Sequence, residues 1–306
     1  MPFQNQKHKR ITMRLFKKIW QYIDGIFRFI NNYFKVIVLL LVVLFVIQIS
    51  RYKDMQEQPN LAKLYLNFPI YESETFAKQI EAIKNNKNIK GVLLLIDSPG
   101  GGVGASIEIA DMIKELNAKK PVIAYTQSLM ASGSYYAGMY AGSIYANRGA
   151  LIGSIGVIFT APNFEKIMDK LGIEMQGTHA GEYKEIGTIM RKWNAKEQSF
   201  IDELTQEQYR MFYNDVIKAR EGKLIAKDPK EFAEGKIFSA NHALKLGLID
   251  KVGSMSDAIK ALQEASGVTE AVWMKKDGTD ILIDKVLDSA ITKMQSLATL
   301  SFMWHI

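Results

Sequence analysis

The segment Gly91-Val-Leu-Leu-Leu-Ile-Asp97, running straight into Ser98-Pro99-Gly100-Gly101-Gly102, constrains this chain more than any other part of it. A continuous apolar run of this kind marks a strand covered on both faces, and such strands belong to parallel sheets flanked by helices. The rest of the chain agrees. From Leu61 onward, short apolar runs alternate with amphipathic stretches, the pattern of an α/β domain. Leu64 to Phe68 reads as a strand, and Thr75 to Asn85 as a helix burying Phe76, Ile80 and Ile83. Gly100 to Gly104 turns the chain into a helix with Ile109, Met112, Ile113 and Leu116 on one stripe. Pro121 to Tyr125 predicts another strand, Ala131 to Ala141 a helix of small residues, and Ser143 to Ala146 and Ile155 to Phe159 further strands. Lys196 to Ala219 is the longest expected helix, with Ile201, Leu204, Phe212 and Val216 on one face. A short helix follows Gly222, and a last one runs from Ser256 to about Ala265.

Charge divides the chain differently. Residues 1–35 hold eight of the 39 Lys and Arg residues and one of the 32 acids, Asp24, so this arm carries the whole net charge of +7. The remaining residues balance 31 bases against 31 acids, which removes the main support for a nucleic-acid footprint on the folded body. The arm leads into Val36 to Ile47, twelve apolar residues in succession; Tyr33 to Ser50 spans 18, near the roughly 20 a helix needs to cross a bilayer. No small-x-small cleavage site follows Ile49, so the segment reads as an uncleaved signal anchor rather than a removed signal peptide or a core helix. The basic side stays in the cytoplasm and everything after about residue 51 lies across the membrane. The expected organisation is a basic cytoplasmic arm (1–32), a transmembrane anchor (33–50), a folded domain (51–270) and an amphipathic tail (271–306) that docks on the domain or contacts another subunit.

Composition narrows the chemistry. The absence of cysteine excludes disulfides, a thiol nucleophile and Cys-type zinc sites, and the four histidines, His8, His179, His242 and His305, form no H-x-x-x-H pair. The glycines of Ser98 to Gly102 expose backbone N–H groups after a buried strand, and three readings compete for them: a tight structural turn, a dinucleotide site, or half of an oxyanion hole. Gly100, Gly102 and Ala105 do fit G-x-G-x-x-A, but the next strand ends in Thr126 and Gln127 where a ribose-binding acid belongs, and the motif does not start the fold. One strand later, Ala131-Ser132-Gly133 places a serine at the start of a helix, where it either caps the helix or exposes its hydroxyl as a nucleophile. A serine needs a base. His179 has no evident orienting aspartate, and Lys184, in Gly181-Glu182-Tyr183-Lys184, is the other candidate; a lysine serves where burial disfavours its charged form.

Taken together, DSPGGG, the segment Met130-Ala131-Ser132-Gly133-Ser134-Tyr135-Tyr136, the run GALIGSIGVI from Gly149 to Ile158, GEYKEIG and KIFSANHALKLGLID resemble the signal peptide peptidase A (SppA) family of membrane-anchored serine/lysine proteases, from about Leu61 to Ala265. The resemblance implies a ClpP/crotonase-like fold of repeated ββα units preceded by one transmembrane helix. It implies Ser132 as nucleophile, Lys184 as general base, Ser154 as the hydroxyl that orients Lys184, and the N–H groups of Gly101 and Gly133 as the oxyanion hole. It implies no metal or organic cofactor. Two departures, Ser134 where the family commonly has a second glycine and Leu129-Met130-Ala131 for Met-Ala-Ala, leave the functional groups intact and bear on substrate preference.

The expected function is therefore that of a serine endopeptidase of the bacterial inner (plasma) membrane, single-pass, with its catalytic domain on the outer, periplasmic side. It degrades cleaved signal peptides whose apolar cores suit a hydrophobic groove. The expected partners are peptides, the lipid bilayer and further copies of the chain in a ring-like homo-oligomer, with no nucleic acid. Two other readings stand beside it: a crotonase-like acyl-CoA enzyme, which would be soluble and use carboxylates as acid and base, and a membrane scaffold of the same fold without chemistry. The orientation is checked by a reporter fused after Ile306. One that is active only outside the cytoplasm is expected to be active, and activity of a cytoplasm-only reporter there would reverse the assignment.

Overall fold

The structure, a computed structural model, describes Trp20 and residues 32–36, 38–45 and 58–275. The chain divides after Gln58 into two compact units. In the first, residues 32–36 and 38–45 are helical, and side chains such as Tyr33, Phe34, Leu39, Leu41 and Phe45 are exposed. Among the described residues no helix is long and apolar enough to cross a membrane; residues 37 and 46–50 of the expected anchor lie outside them, as does the expected tail beyond residue 275.

The second unit is a wound α/β body. Its strands are β1 (Leu61–Leu66), β2 (Gly91–Ser98), β3 (Val122–Ala131), β4 (Ser143–Ala146), β5 (Leu151–Gly153), β6 (Ile237–Ser239) and β7 (Lys251–Val252). Its helices are α1 (Glu74–Asn85), α2 (Val103–Lys119), α3 (Gly133–Gly138), α4 (Glu165–Leu171), α5 (Ala195–Ala219), α6 (Pro229–Phe232), α7 (Ala240–Leu246) and α8 (Met255–Ser266). The strand order β1-β2-β3-β4-β7 is parallel throughout. Strand β3 is long enough to serve two neighbours: Ile123 to Thr126 pair with β4, and Leu129 to Ala131 pair with β5, which carries β6 antiparallel on its far side. Strands and helices mostly alternate singly, and two strands follow one another directly only at β4 and β5.

The buried run is distributed by the two-residue period of a strand. Val92, Leu94 and Ile96 of β2 face a large core with Ile80, Ile109, Ile113 and Tyr135, while Leu93 turns to the opposite face and joins Leu61, Ile123 and Tyr125 beneath Ala258 and Leu262 of α8. Helices on both faces thus explain why the strand tolerates no polar residue before Asp97. The outer edge of β1 is also covered: Trp273 bridges Leu61, and Met274 N–H donates to the Leu61 carbonyl at 2.8 Å. Most expected elements are present, although β3 runs six residues past its expected end to Ala131 and the short helix after Gly222 begins only at Pro229; one expected strand is absent. Ile155 to Phe159 form no strand, because the pairing edge beside β3 is taken one step earlier by Leu151 to Gly153 and Phe159 points away from the core at 49% exposed.

A buried charge ties the late part of the chain to the sheet. Arg220, just past α5 and 1% exposed, donates from both terminal nitrogens to Asp250 at 2.9 and 3.0 Å and from Nε to the Gly247 carbonyl at 3.0 Å. Asp250 also accepts from Ile144 N–H at 2.7 Å, at the start of β4. Burial pushes the Asp250 carboxyl up, but the Arg220 bonds and charge, with Ile144 N–H and Lys223, outweigh it and hold the group below its usual range. A depressed carboxyl stabilises the fold above its unfolded pKa and loses that contribution as the pH falls through the folded value. Asp250→Asn leaves the Arg220 guanidinium buried without its counter-charge, so it is expected to cost about 3 kcal/mol. The thermal midpoint of the variant is expected to lie well below that of the parent at pH 7, and the gap is expected to narrow as both are acidified. A constant gap from pH 7 to pH 3 would contradict this account.

Candidate active site

Strands β2 and β3 deliver two turns to the same place. Their pairing is regular from Val92↔Val122 to Ile96↔Thr126, and then β3 gains two residues, Gln127 and Ser128, before Ser98 pairs with Met130. The Asp97 carboxylate accepts from Leu129 N–H at 3.0 Å and closes this bulge. The extra length brings Ala131-Ser132-Gly133 level with Gly100-Gly101.

Contact there is backbone on backbone. Gly100 has φ +93°, and a Cβ on it would stand 2.5 Å from the Gly133 nitrogen and 2.8 Å from the Ala131 carbonyl. A Cβ on Gly101 would overlap the Ile70 carbonyl, since residue 70 pairs with this turn: Ile70 N–H donates to Gly100 O at 2.8 Å and Gly102 N–H to Ile70 O at 2.7 Å. The ideal Cβ position of Gly133 lies only 3.1 Å from the Gly101 nitrogen and overlaps Ser106 Oγ. The N–H groups of Gly101 and Gly133, expected as a pair, are therefore near neighbours, and neither takes part in the hydrogen bonds of the described turns and loops.

Ser132 sits beside them at φ 53°, ψ −127°, a conformation that costs a side-chain-bearing residue about 1–3 kcal/mol. It begins α3, but its hydroxyl makes no cap hydrogen bond, so the capping reading of this serine does not hold. Its N–H is held instead by the Gly153 carbonyl at 2.8 Å. That bond sets Ser154 next in line: Ser154 has φ 51°, is half-buried, and donates its N–H to Lys236 O at 2.6 Å.

Three buried serines brace the two turns. Ser134, fully buried, accepts from Ala131 N–H at 2.8 Å and donates to the Ser98 carbonyl at 2.6 Å, linking the turns directly. Ser98 donates to Phe68 O at 2.6 Å and accepts from Gly100 N–H at 3.2 Å; Ser106 donates to Gly102 O at 2.8 Å. Ser134 is thus a brace inside the fold and not a surface that substrate meets, contrary to the bearing on substrate preference expected of it. Nothing in the sequence around these three serines marks them as braces.

Lys184 stands apart. It lies in the turn Gly181 to Gly187, where its N–H donates to Gly181 O at 3.2 Å; its side chain is exposed and among the described residues makes no hydrogen bond or ion pair with Ser132, Ser154 or any other group. The burial that would disfavour its charged form is not provided within one chain. His179, the other candidate base, is exposed and lies 3.3 Å from Glu185. Among the described residues no group of His, Asp and Glu is arranged to hold a metal.

The sequence pattern of Peptidase family S49 matches residues 114–269, and that of Clp protease matches residues 62–154. A candidate protease of Methanocaldococcus jannaschii is 32% identical over 264 residues, covering 77% of this chain and 84% of that protein. A candidate signal peptide peptidase SppA of Enterococcus faecium is 32% identical over 229 residues, 74% of this chain and 66% of that one. The chloroplastic serine protease SPPA of Arabidopsis thaliana is 31% identical over 197 residues, 64% of this chain but 29% of its own length.

Because the neighbours of Gly100 are backbone atoms that cannot swing aside, Gly100→Ala is expected to separate the two turns. Labelling of Ser132 by a fluorophosphonate, followed by intact mass, is expected to fall by about 100-fold, the scale of a lost oxyanion donor. Labelling at the parent rate would show that the contact does not position Ser132.

Proposed function

Since the chain belongs to peptidase family S49, a family of serine proteases, we propose that it hydrolyses peptide bonds with Ser132 as nucleophile and Lys184 as general base. The observation that carries this reading is the strained, uncapped Ser132 beside the adjacent N–H groups of Gly101 and Gly133. Lys184, as a neutral amine, accepts the Ser132 proton while the oxygen attacks the peptide carbonyl. The two glycine N–H groups hold the oxyanion, the leaving amine takes the proton from Lys184, and water then hydrolyses the acyl-enzyme by the same route. We take Ser154, directly after the residue that binds Ser132 N–H, to hold the amine toward the nucleophile.

The base needs a drier setting than one copy supplies. Ile158, Leu171 and Met175 are 84%, 67% and 65% exposed, in a segment that also bares Phe159, Ile167 and Ile173. Exposed apolar surface of this extent marks an association site, which supports the expected homo-oligomer. Packing of copies over this segment would take the Lys184 turn out of water and disfavour its ammonium form. The substrate class follows from the name of the Enterococcus relative: we take it to be signal peptides left after secretion, reached from a membrane anchor at residues 33–50 with the domain on the outer side.

The test is hydrolysis of a synthetic signal peptide by the full chain, read by mass spectrometry. Ser132→Ala and Lys184→Ala are each expected to abolish cleavage, with the double variant little worse than either, since residues that act as one unit are strongly non-additive. Ser154→Ala is expected to lower the rate without abolishing it. Most activity surviving in Lys184→Ala would remove lysine from the mechanism and return His179 as candidate base.

A further inference from the structure

Lys184 lies in sequence between two carboxylates, Glu182 and Glu185. A carboxylate beside an amine favours its ammonium form, the form that cannot accept a proton from serine. Both carboxylates are engaged elsewhere. Glu182 lies 2.6 Å from Lys196 Nζ, at the start of α5. Both members of that pair are more than half exposed, so it is well screened and contributes little. Glu185 meets two partners rather than one: one oxygen lies 3.3 Å from an Arg191 terminal nitrogen and the other 3.3 Å from His179 Nδ1.

Arg191 is itself fixed from the other side. Its two terminal nitrogens donate to the two oxygens of Glu197, each at 2.8 Å, the parallel geometry in which a guanidinium binds a carboxylate best. Glu197 is 2% exposed and belongs to the capping box of α5, accepting from Asn194 N–H at 2.9 Å. The Arg191 bonds, helped by Asn194 N–H, hold its carboxyl down at about 2, so it stays charged over the whole working range. On the same helix, Phe200 stacks on Tyr183, the residue before Lys184, at 5.1 Å between ring centroids. The charges of this region pair with one another: Glu182 with Lys196, Glu185 with Arg191 and His179, and Arg191 with Glu197. Lys184 makes no ion pair among the described residues.

We infer that Arg191 is a positioning residue for Lys184: by holding Glu185 against the end of α5, it keeps the base without a counter-ion and so keeps its neutral form within reach near neutral pH. The inference rests on Lys184 being the general base.

The experiment is the pH dependence of kcat/KM for peptide hydrolysis by the full chain. Arg191→Met frees Glu185, and the alkaline-rising limb is expected to move up by roughly 0.5–1 pH unit. The rate at neutral pH is expected to fall about 3- to 10-fold while the alkaline plateau is kept. Adding Glu185→Gln to Arg191→Met is expected to return the limb to its parent position, a rescue that a purely structural role for Arg191 does not give. An unmoved limb in Arg191→Met, or no return in the double variant, overturns the inference. Should Arg191→Met fail to fold, Arg191→Gln takes its place with the same two outcomes. An active Lys184→Ala enzyme would overturn the general-base reading and this inference with it, whereas an inactive one beside an unshifted Arg191→Met profile overturns only the role of Arg191.

Discussion

Two strand-to-helix turns meet with no side chain between them, and the rest of the site depends on that meeting. Gly100 lies so close to the Gly133 nitrogen that a single methyl would part the turns. For the contact to exist, β2 and β3 must be parallel neighbours, β3 must carry its two extra residues after Thr126, and the core on both faces must hold the strands in register. Ser134 then bolts one turn to the other through Ser98 O. The strain at Ser132 persists because backbone bonds hold it from two sides, its N–H on Gly153 and its carbonyl under Tyr136 N–H.

The later part of the chain contributes by fastening. Tyr135 passes its hydroxyl to Leu248 O at 2.8 Å, and Tyr136 donates to Asp215 of α5. Helix α3, which begins at the proposed nucleophile, is thus anchored to segments more than 70 residues further along the chain, and the Arg220–Asp250 pair anchors those to β4. At its other end the same helix α5 carries Lys196 and Glu197, which pair with Glu182 and Arg191 on either side of Lys184 in sequence.

The fold was legible because its strands are short, apolar and punctuated by glycine, and because the helices between them keep one apolar stripe. Where the reading slipped, at Ile155 to Phe159, the sequence offers an apolar run of the right length, and only the pairing edge decides that Leu151 to Gly153 takes the place instead. The turn at Ser132, the proposed nucleophile, was legible from Ala131-Ser132-Gly133 in its position after a strand. Its bracing was not, because Ser98, Ser106 and Ser134 look like any small polar residues until the backbone they bind is known. The setting of Lys184 was least legible of all. Whether a lysine is wet or dry depends on surfaces brought from elsewhere, and the pairing of Glu185 with Arg191 joins residues six positions apart across an irregular turn.

The bare contact at Gly100 has a consequence for how such a site changes over time. Reactive geometry written in main-chain atoms is indifferent to most side-chain replacements around it, so the surface that meets a peptide is free to drift. Leu151 and Ile237, both exposed on strands beside the turn of Ser132, are positions where a side chain changes without touching that backbone contact. The glycines have no such latitude. The site is evolvable in what it accepts and brittle in what it does, and the dividing line between the two runs along the absence of a single carbon atom.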